Sequence, residues 1–567
     1  MPGLESLRQR GLSGWRAAER LADQVFGSAA NPLRHLGAIG MLAFWLLAAS
    51  GVLLYIFFET SVREAHASIE ALAHWPLASG RLLRGMHRYA ADLLVLAMAL
   101  HLVREWLVGH ERGVHRFAWL TGVALIGFVF VAGIGGFWLN WDRLGQYSAV
   151  ATAEWIDALP ASVRPFATPF ARNFLAGAVD DRLFSLFVFV HIGVPLLLLF
   201  GLWFHVQRLT RAAVWPPRAV ALGLIVALGA LALVRPVTSH PPADLSAMPE
   251  ALRLDWMVLF VHPMVDATSA GFVWALVAAL TLLLFGLPFL PFLRSVLTRP
   301  TARRAAAARA PVAVVDAANC NGCRRCQADC PYAAVTMVPH PNQRIGRSLA
   351  VVDADLCASC GICAGACPSS TPFRRAEQLV TGIDMPQRPV AALRRQLQRA
   401  LAASKAARPL VVFGCDEGAQ GARSAALQAG DVSVIGVVCA GQLPPSFVEY
   451  ALRDGAAGVL VAACNEGGCE FRFGERFARE RLAGTREPHL RAGVGGERLE
   501  LVFAGRGDEA RLVAALERLR RRVGALPEPE PEPEPTQAGP RGAVPTSLPA
   551  SRTAAAPAAD SLRCGHA

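Results

Sequence analysis

The stretch from Cys320 to Cys367 constrains this chain more than any other. It reads Cys320-x-x-Cys323-x-x-Cys326-x-x-x-Cys330-Pro331, then repeats as Cys357-x-x-Cys360-x-x-Cys363-x-x-x-Cys367-Pro368. Spacing this tight lets three thiolates of a run point at one iron–sulfur cube, while the fourth turns away towards a neighbouring cube. Zinc sites and disulfides are the competing uses of such cysteines, but zinc motifs seldom repeat the whole run with its trailing proline. The rest of the chain is expected to be wired to these clusters.

Two such runs in succession resemble the two-cluster bacterial ferredoxins, over about 312–375. The resemblance implies an α+β ferredoxin-like domain with one 4Fe–4S cluster on Cys320, Cys323, Cys326 and Cys367. A second cube would sit on Cys357, Cys360, Cys363 and Cys330. Of thirteen cysteines in all, four more stand at Cys415, Cys439, Cys464 and Cys469, and Cys564 lies in a low-complexity tail. None falls in the apolar first half, which assigns the thiols to a reducing compartment and to metal.

Over the 567 residues 53% are hydrophobic and 18% charged, with a mean hydropathy of +0.35. The apolar excess concentrates before residue 293, in runs long enough to cross a bilayer. Residues 1–35 combine Leu4, Leu7, Trp15, Val25 and Phe26 with arginines and predict an interfacial helix. Within a membrane domain at 36–293, spans are expected at 36–58, 86–108, 117–138, 184–206, 219–234 and 272–292, the fifth being short. The first run is too long and starts too late for a cleavable signal peptide. A net charge of +12 would suggest nucleic acid in a soluble protein. Here the excess arginine flanks apolar runs and sets topology, so no nucleic-acid partner is expected. Six spans put both termini on the arginine-rich side, the cytoplasmic face of a bacterial or archaeal inner membrane.

Two of the expected spans carry histidine pairs, His87 with His101 and His191 with His205, each fourteen residues apart. That interval is just short of four turns and puts both rings on one face, roughly 21 Å apart along the axis. A single intramembrane histidine can be a satisfied interhelical hydrogen bond; two matched pairs on helices running the same way predict two stacked bis-histidine sites. His87 with His191 would hold an iron porphyrin near the outer face, and His101 with His205 another near the cytoplasm. Gly37 and Gly51, and Gly122 and Gly136, repeat the fourteen-residue interval and would let a flat macrocycle approach the backbone. Ordinary helix packing is the plainer use of any one of them. Arg84 and Arg104, three residues from a histidine, are candidates to pair with haem propionates. His35, His66, His74, His110, His115, His240 and His262 read as solvated.

Residues 14 to about 293 resemble cytochrome b of the respiratory and photosynthetic quinol-oxidising complexes. The likeness rests on Trp15-x-x-x-Glu19-Arg20-Leu21, the four histidines, Gly136-Phe137-Trp138-Leu139-Asn140-Trp141-Asp142 (the family usually has proline at 140) and His191-x-x-x-Pro195. It implies two haem b groups, a membrane quinone as substrate and a homodimer. It also implies an outer quinol site bordered by the loop from Tyr147 to Pro160. A second element of that site, Pro-Glu-Trp-Tyr in the family, is Leu254-Asp255-Trp256-Met257 here. Asp255 then stands as the candidate proton acceptor, against a plain loop aspartate.

After an Arg/Ala-rich tether (294–311), the ferredoxin segment and a second linker (376–408), the pattern alternates strands and helices over 409–525. Apolar runs at Leu410–Cys415, Val432–Cys439, Gly458–Cys464 and Leu499–Ala504 predict an α/β domain with a parallel sheet and helices on both faces. Cys415, Cys439 and Cys464 end separate strands and so converge on the carboxyl edge, where such sheets bind ligands, with Cys469 five residues on. Cys439-Ala440-Gly441 with Pro444, Gly455-Ala456-Ala457-Gly458-Val459-Leu460-Val461 and Cys464-x-x-x-x-Cys469 resemble the delta subunit of methyl-viologen-reducing hydrogenase. Asn465 and Glu470 stand where that family tends to have histidine. The resemblance implies one 2Fe–2S cluster on Cys415, Cys439, Cys464 and Cys469, and electron exchange with heterodisulfide-reductase-type flavoproteins. Residues 526–567, Pro/Glu- and then Ala/Pro-rich, are expected to be disordered.

The fold class expected is therefore multidomain: an all-α transmembrane four-helix haem bundle with two further spans, an α+β ferredoxin-like domain and an α/β parallel-sheet domain. The function expected is membrane-bound electron transfer between quinone and a cytosolic flavoprotein, or heterodisulfide-reductase- or hydrogenase-like subunits. The last domain, at the chain's far end from the membrane, would be the terminal relay. Alternatives are a haem-containing anchor and electron wire with no quinone site, and a redox sensor.

Overall fold

The computed structural model describes residues 2–159, 179–207, 209, 212–246, 252–290, 311–368, 379–416, 430–505 and 508–526. Apart from Pro311, the tether expected at 294–311 lies outside them, as does the tail after 526. In the first half, long apolar stretches broken by Pro, Gly and charged loops form α1 (Pro2–Phe26), α2 (Leu36–Phe57), α3 (Ala65–Ala71), α4 (Ser79–Val108), α5 (Arg116–Leu139), α6 (Arg143–Asp157), α7 (Asp181–Val206), α8 (Arg218–Val234), α9 (Val261–Ala267) and α10 (Ala270–Gly286). Side chains satisfy orphan amides at several starts: Asp142 accepts from Gly145 N at 2.8 Å, Asp180 from Leu183 N at 3.0 Å and Ser269 from Phe272 N at 3.2 Å.

Helix α2 packs along α4, and α5 along α7. Phe44, Leu125, Val129 and Leu198 form a core where the two pairs meet. The outward faces are apolar as well: Leu196, Leu197, Phe200, Trp203 and Leu282 are all exposed. An apolar exterior of this extent suits lipid rather than water. Among the described residues four helices are long and apolar enough to cross a membrane, namely α2, α5 with its preceding turn, α7, and α10 with the turn that follows it. The expected spans at 86–108 and 219–234 fall on α4 and α8. Helix α4 has 30 residues but carries Arg88, Asp92, Arg104 and Glu105, while α8 has only 17.

Around the cysteine runs, β1 (Val314–Val315) pairs antiparallel with β4 (Ile383–Asp384), and β2 (Val335–Pro339) with β3 (Ser348–Val352). Short helices α11 (Arg325–Asp329) and α12 (Ile362–Gly365) carry the third cysteine of each run. Strand β4 takes this domain past the expected limit at 375. The linker expected at 376–408 is also corrected, because it contains α13 (Val390–Ala403), whose Val390, Leu393 and Leu397 form a buried helical stripe.

The last domain has the expected parallel sheet, β5 (Leu410–Cys415), β6 (Val432–Val437), β7 (Gly458–Ala463) and β8 (Leu499–Phe503), in the order β6-β5-β7-β8. Side chains alternate between faces. Val411, Phe413, Val459 and Val461 pack with α13 and α14 (Ser446–Arg453) through Leu393, Leu397, Phe447 and Tyr450. Leu410, Val412, Leu460 and Ala462 pack on the other face with Leu512, Leu516 and Leu519 of α16 (Glu509–Ala525). Each fully buried aliphatic stabilises by about 1.5–3 kcal/mol. At the carboxyl edge lies α15 (Gly474–Leu482).

Met1–Gly524 cluster as one compact unit. Arg481 of α15 is 1% exposed and joins the two iron–sulfur domains: it donates to Asp329 Oδ2 and to Gly441 O, both at 2.7 Å. The last domain also rests on the membrane domain. Arg16 pairs with Asp508 at 3.1 Å, Arg34 with Glu466 at 3.3 Å, and Arg104 donates to Gly467 O at 3.1 Å. Its expected place at the far end from the membrane is thus overturned. The chain folds back, and distance along the sequence is not distance in space.

Candidate haem and iron–sulfur centres

The helical pitch brings every predicted histidine to its glycine. A Cβ built on Gly51 would lie 3.1 Å from His87 Cε1, and one on Gly37 would lie 3.4 Å from His101 Cε1. Across the other pair of helices, Gly122 would stand 3.1 Å from His205 Cε1 and Gly136 2.8 Å from His191 Cε1. The His87 and His191 ring centres are 6.3 Å apart. Two metal–nitrogen bonds of about 2 Å, one on either side of an iron, need a separation of about 6 Å. Nδ1 is the nitrogen held by the protein: Ser50 Oγ lies 2.9 Å from that of His87, Ala132 O 2.9 Å from that of His191, and Thr121 Oγ1 3.1 Å from that of His205. Such bonds fix ring orientation and leave Nε2 as the metal-binding nitrogen. The His87/His191 donors therefore fit a haem, and His101 and His205 repeat the same approach to a glycine. Ser50 and Thr121 were missed in the sequence, although each directly precedes one of the spaced glycines.

The two arginines are otherwise occupied. Arg84 pairs with Glu70 at 2.7 Å and donates to Ser239 Oγ and Asn140 Oδ1. Arg104 pairs with Glu105 at 2.9 Å and Glu19 at 3.4 Å besides reaching Gly467. Asp255 is ion-paired with Arg88, and its Oδ1 accepts from Met257 N and Val258 N. A carboxylate held on both oxygens caps the local turn and is poorly placed to receive a proton from a ligand. The expected loop from Tyr147 is helix α6, where Trp155 stacks on Trp274 at 4.3 Å; Pro160 lies outside the described residues.

In the ferredoxin-like domain a pocket open to solvent is lined by Cys320, Cys323, Cys326 and Cys367 among others. Cys363 has Cys360, Cys326, Cys330 and Cys357 as its neighbouring thiols. Burial pushes the Cys326 thiol up to about 12 and that of Cys363 well above its usual value. A bound cation is what would hold such donors as thiolates. The twelve described cysteines are all free of disulfides.

At the sheet edge Cys415 Sγ lies 3.2 Å from Cys464 Sγ, and Cys439 Sγ 4.0 Å from Cys469 Sγ, all four at most 4% exposed. A disulfide would need about 2 Å. Gly474 is required beside them, since a Cβ there would come within 1.9 Å of Cys439 Sγ. Four converging thiols and a backbone cradle fit a small iron–sulfur cluster. Cys360 belongs to the same buried group, so the second ferredoxin set borders this one.

Three histidines expected to be solvated are buried: His110 at 9%, His115 at 8% and His262 at 0% exposure. His110 and His115 stack at 4.2 Å beneath Glu470 of the last domain, and Ser148 Oγ lies 3.0 Å from His262 Nε2. Position in a loop or near a helix end signalled solvent, but each of the three is covered by a distant segment of chain.

Stacked histidine pairs in an apolar bundle, continuous with cysteine clusters, define a membrane electron-transfer protein made of b-type cytochrome and iron–sulfur modules. The family described as cytochrome b/b6/petB matches residues 22–213, the 4Fe–4S dicluster domain 319–371, and the methyl-viologen-reducing hydrogenase delta subunit 410–526. Cytochrome b6 of Prochlorothrix hollandica is 31% identical over 157 residues, 27% of this chain and 70% of the relative. That of Synechococcus sp. (strain CC9605) is 28% identical over 188 residues, 32% of this chain and 82% of the relative. Over residues 22–213 the chain belongs to the cytochrome b/b6 family. Among solved structures a chain titled "Hyperthermophilic respiratory Complex III" aligns at 17% identity and a TM-score of 0.37, covering 45% of this chain and 74% of that one.

Proposed function

We propose that this protein exchanges electrons between the membrane quinone pool and a soluble redox partner on the cytoplasmic face of an inner membrane, which it crosses six times with both termini inside. The partner would be a flavoprotein, or heterodisulfide-reductase- or hydrogenase-like subunits, and the protein itself a homodimer. Two haem b groups on His87/His191 and His101/His205, two 4Fe–4S clusters and one 2Fe–2S cluster would supply one-electron chemistry, and the protein supplies their position and surroundings. The observation that carries this is the fit of each of four histidines to its own glycine at matched depth.

The donor sets lie in a spatial order that differs from their order in the sequence. Gly467, between Cys464 and Cys469, meets Arg104 near the end of α4, and Glu470, next to Cys469, meets His115 in the loop that follows, on the His101 side. Cys360 adjoins that four-thiol set, and Cys323 of the remaining set is exposed. A soluble partner would thus meet the Cys323 side. A second reading, an electron wire with no quinone site, is favoured by the Asp255–Arg88 pair.

The test is to add a quinol analogue to the full-length protein in detergent and follow haem absorbance. Haem reduction is expected. If dithionite reduces the haems while the quinol leaves them oxidised, the wire reading stands instead.

A further inference from the structure

The seam between the membrane domain and the last domain contains a donor cluster that the electron-transfer reading does not use. His110 and His115, in the loop between α4 and α5, and Glu470, next to Cys469, offer ligand atoms all within 4.8 Å of one another. Both rings are buried and stack at 4.2 Å. His110 Nδ1 is 2.5 Å from Glu105 Oε2, and His115 Nε2 is 2.5 Å from the Glu470 carbonyl oxygen. Each imidazole is therefore oriented through one nitrogen by an oxygen acceptor, the support that metal-binding histidines characteristically have. The other nitrogen of His110, Nε2, is buried without a hydrogen-bond partner. A buried ring nitrogen left without a partner in such a place is costly unless something occupies it.

The backbone is shaped for the cluster. Gly109 (φ +101°) ends α4 and Gly113 (φ +58°) turns the chain back, so that the rings of His110 and His115 stack. A Cβ on Gly113 would stand 3.2 Å from Glu470 Oε1, so glycine also makes room for that carboxylate.

The geometry points to a binding site for a borderline divalent cation of the zinc class, held by His110 Nε2, His115 Nδ1 and the Glu470 carboxylate, that fastens the last domain onto the haem bundle. Two neutral imidazoles and a carboxylate are an established donor set for zinc, with a fourth position left for water. Tetrahedral bonds of about 2.0–2.1 Å need ligand atoms about 3.4 Å apart with both ring lone pairs converging on the ion, so the stacked rings would tilt apart to close the site. Because the ligands come from both sides of the seam, the cation would act as a clamp. The inference stands apart from the proposed quinone linkage, since it involves none of the haem or cluster ligands.

The full-length protein in detergent, equilibrated with zinc and desalted, is expected to retain about one zinc per chain by elemental analysis. Zinc X-ray absorption should show nitrogen and oxygen neighbours at about 2.0–2.1 Å and no sulfur at about 2.3 Å. His110→Ala and Glu470→Gln should each abolish retention while the haem spectrum persists. If His110→Ala loses haem as well, the near-isosteric Glu470→Gln decides. No retained zinc, a sulfur shell, or zinc that survives Glu470→Gln would overturn the assignment and leave the cluster as a hydrogen-bonded histidine stack.

Discussion

Replacing Gly136 by alanine tests the histidine–glycine fit most sharply. The new Cβ would lie 2.8 Å from His191 Cε1, where ordinary contact begins at 3.4 Å. The ring cannot simply swing away, because its Nδ1 is tied to Ala132 O at 2.9 Å. Overpacking of this kind costs about 1–3 kcal/mol. At tenfold for about every 1.4 kcal/mol, haem held by His87 and His191 should bind roughly one to two orders of magnitude more weakly. The effect should be graded: Gly51→Ala and Gly122→Ala, at 3.1 Å, should be milder, and Gly37→Ala, at 3.4 Å, close to neutral. Haem per chain, from pyridine haemochrome spectra after successive dilution in detergent, gives the ranking. If Gly136→Ala keeps both haems through the series, or Gly37→Ala loses as much, these glycines are there for helix packing alone.

Two further predictions concern stability. Burial pushes the His262 imidazole down to about 4, against an unfolded value of about 6.5. Above pH ~6.5 both states are neutral; as pH falls towards 4 only the unfolded chain takes up the proton, so stability drops by up to about 3 kcal/mol. The melting temperature should fall through that window and His262→Gln should flatten the slope; an unchanged slope in the variant assigns the loss to other groups. Arg481→Met should cost about 3–5 kcal/mol by leaving buried Asp329 with Arg486 alone, read as earlier loss of iron–sulfur absorbance in urea. A shift below about 1 kcal/mol would show that Arg486 suffices.

What the sequence determined by itself is what a short repeat can encode. Fourteen residues is nearly a whole number of helical turns, so His87, His101, His191 and His205 had to share faces with one another. Their glycines obeyed the same pitch. Strands that alternate with helices must run parallel, so Cys415, Cys439 and Cys464 had to reach one edge. Only the tertiary structure decided what depends on contacts between distant segments. It set the last domain against the membrane bundle, placed α13 on the sheet where a linker was expected, and buried His110 beneath Glu470, 360 residues away. No local spacing reports such docking, because it is settled by the complementarity of whole surfaces: a few arginines such as Arg16, Arg34 and Arg481, whose partners cannot be identified until the chain has folded back on itself.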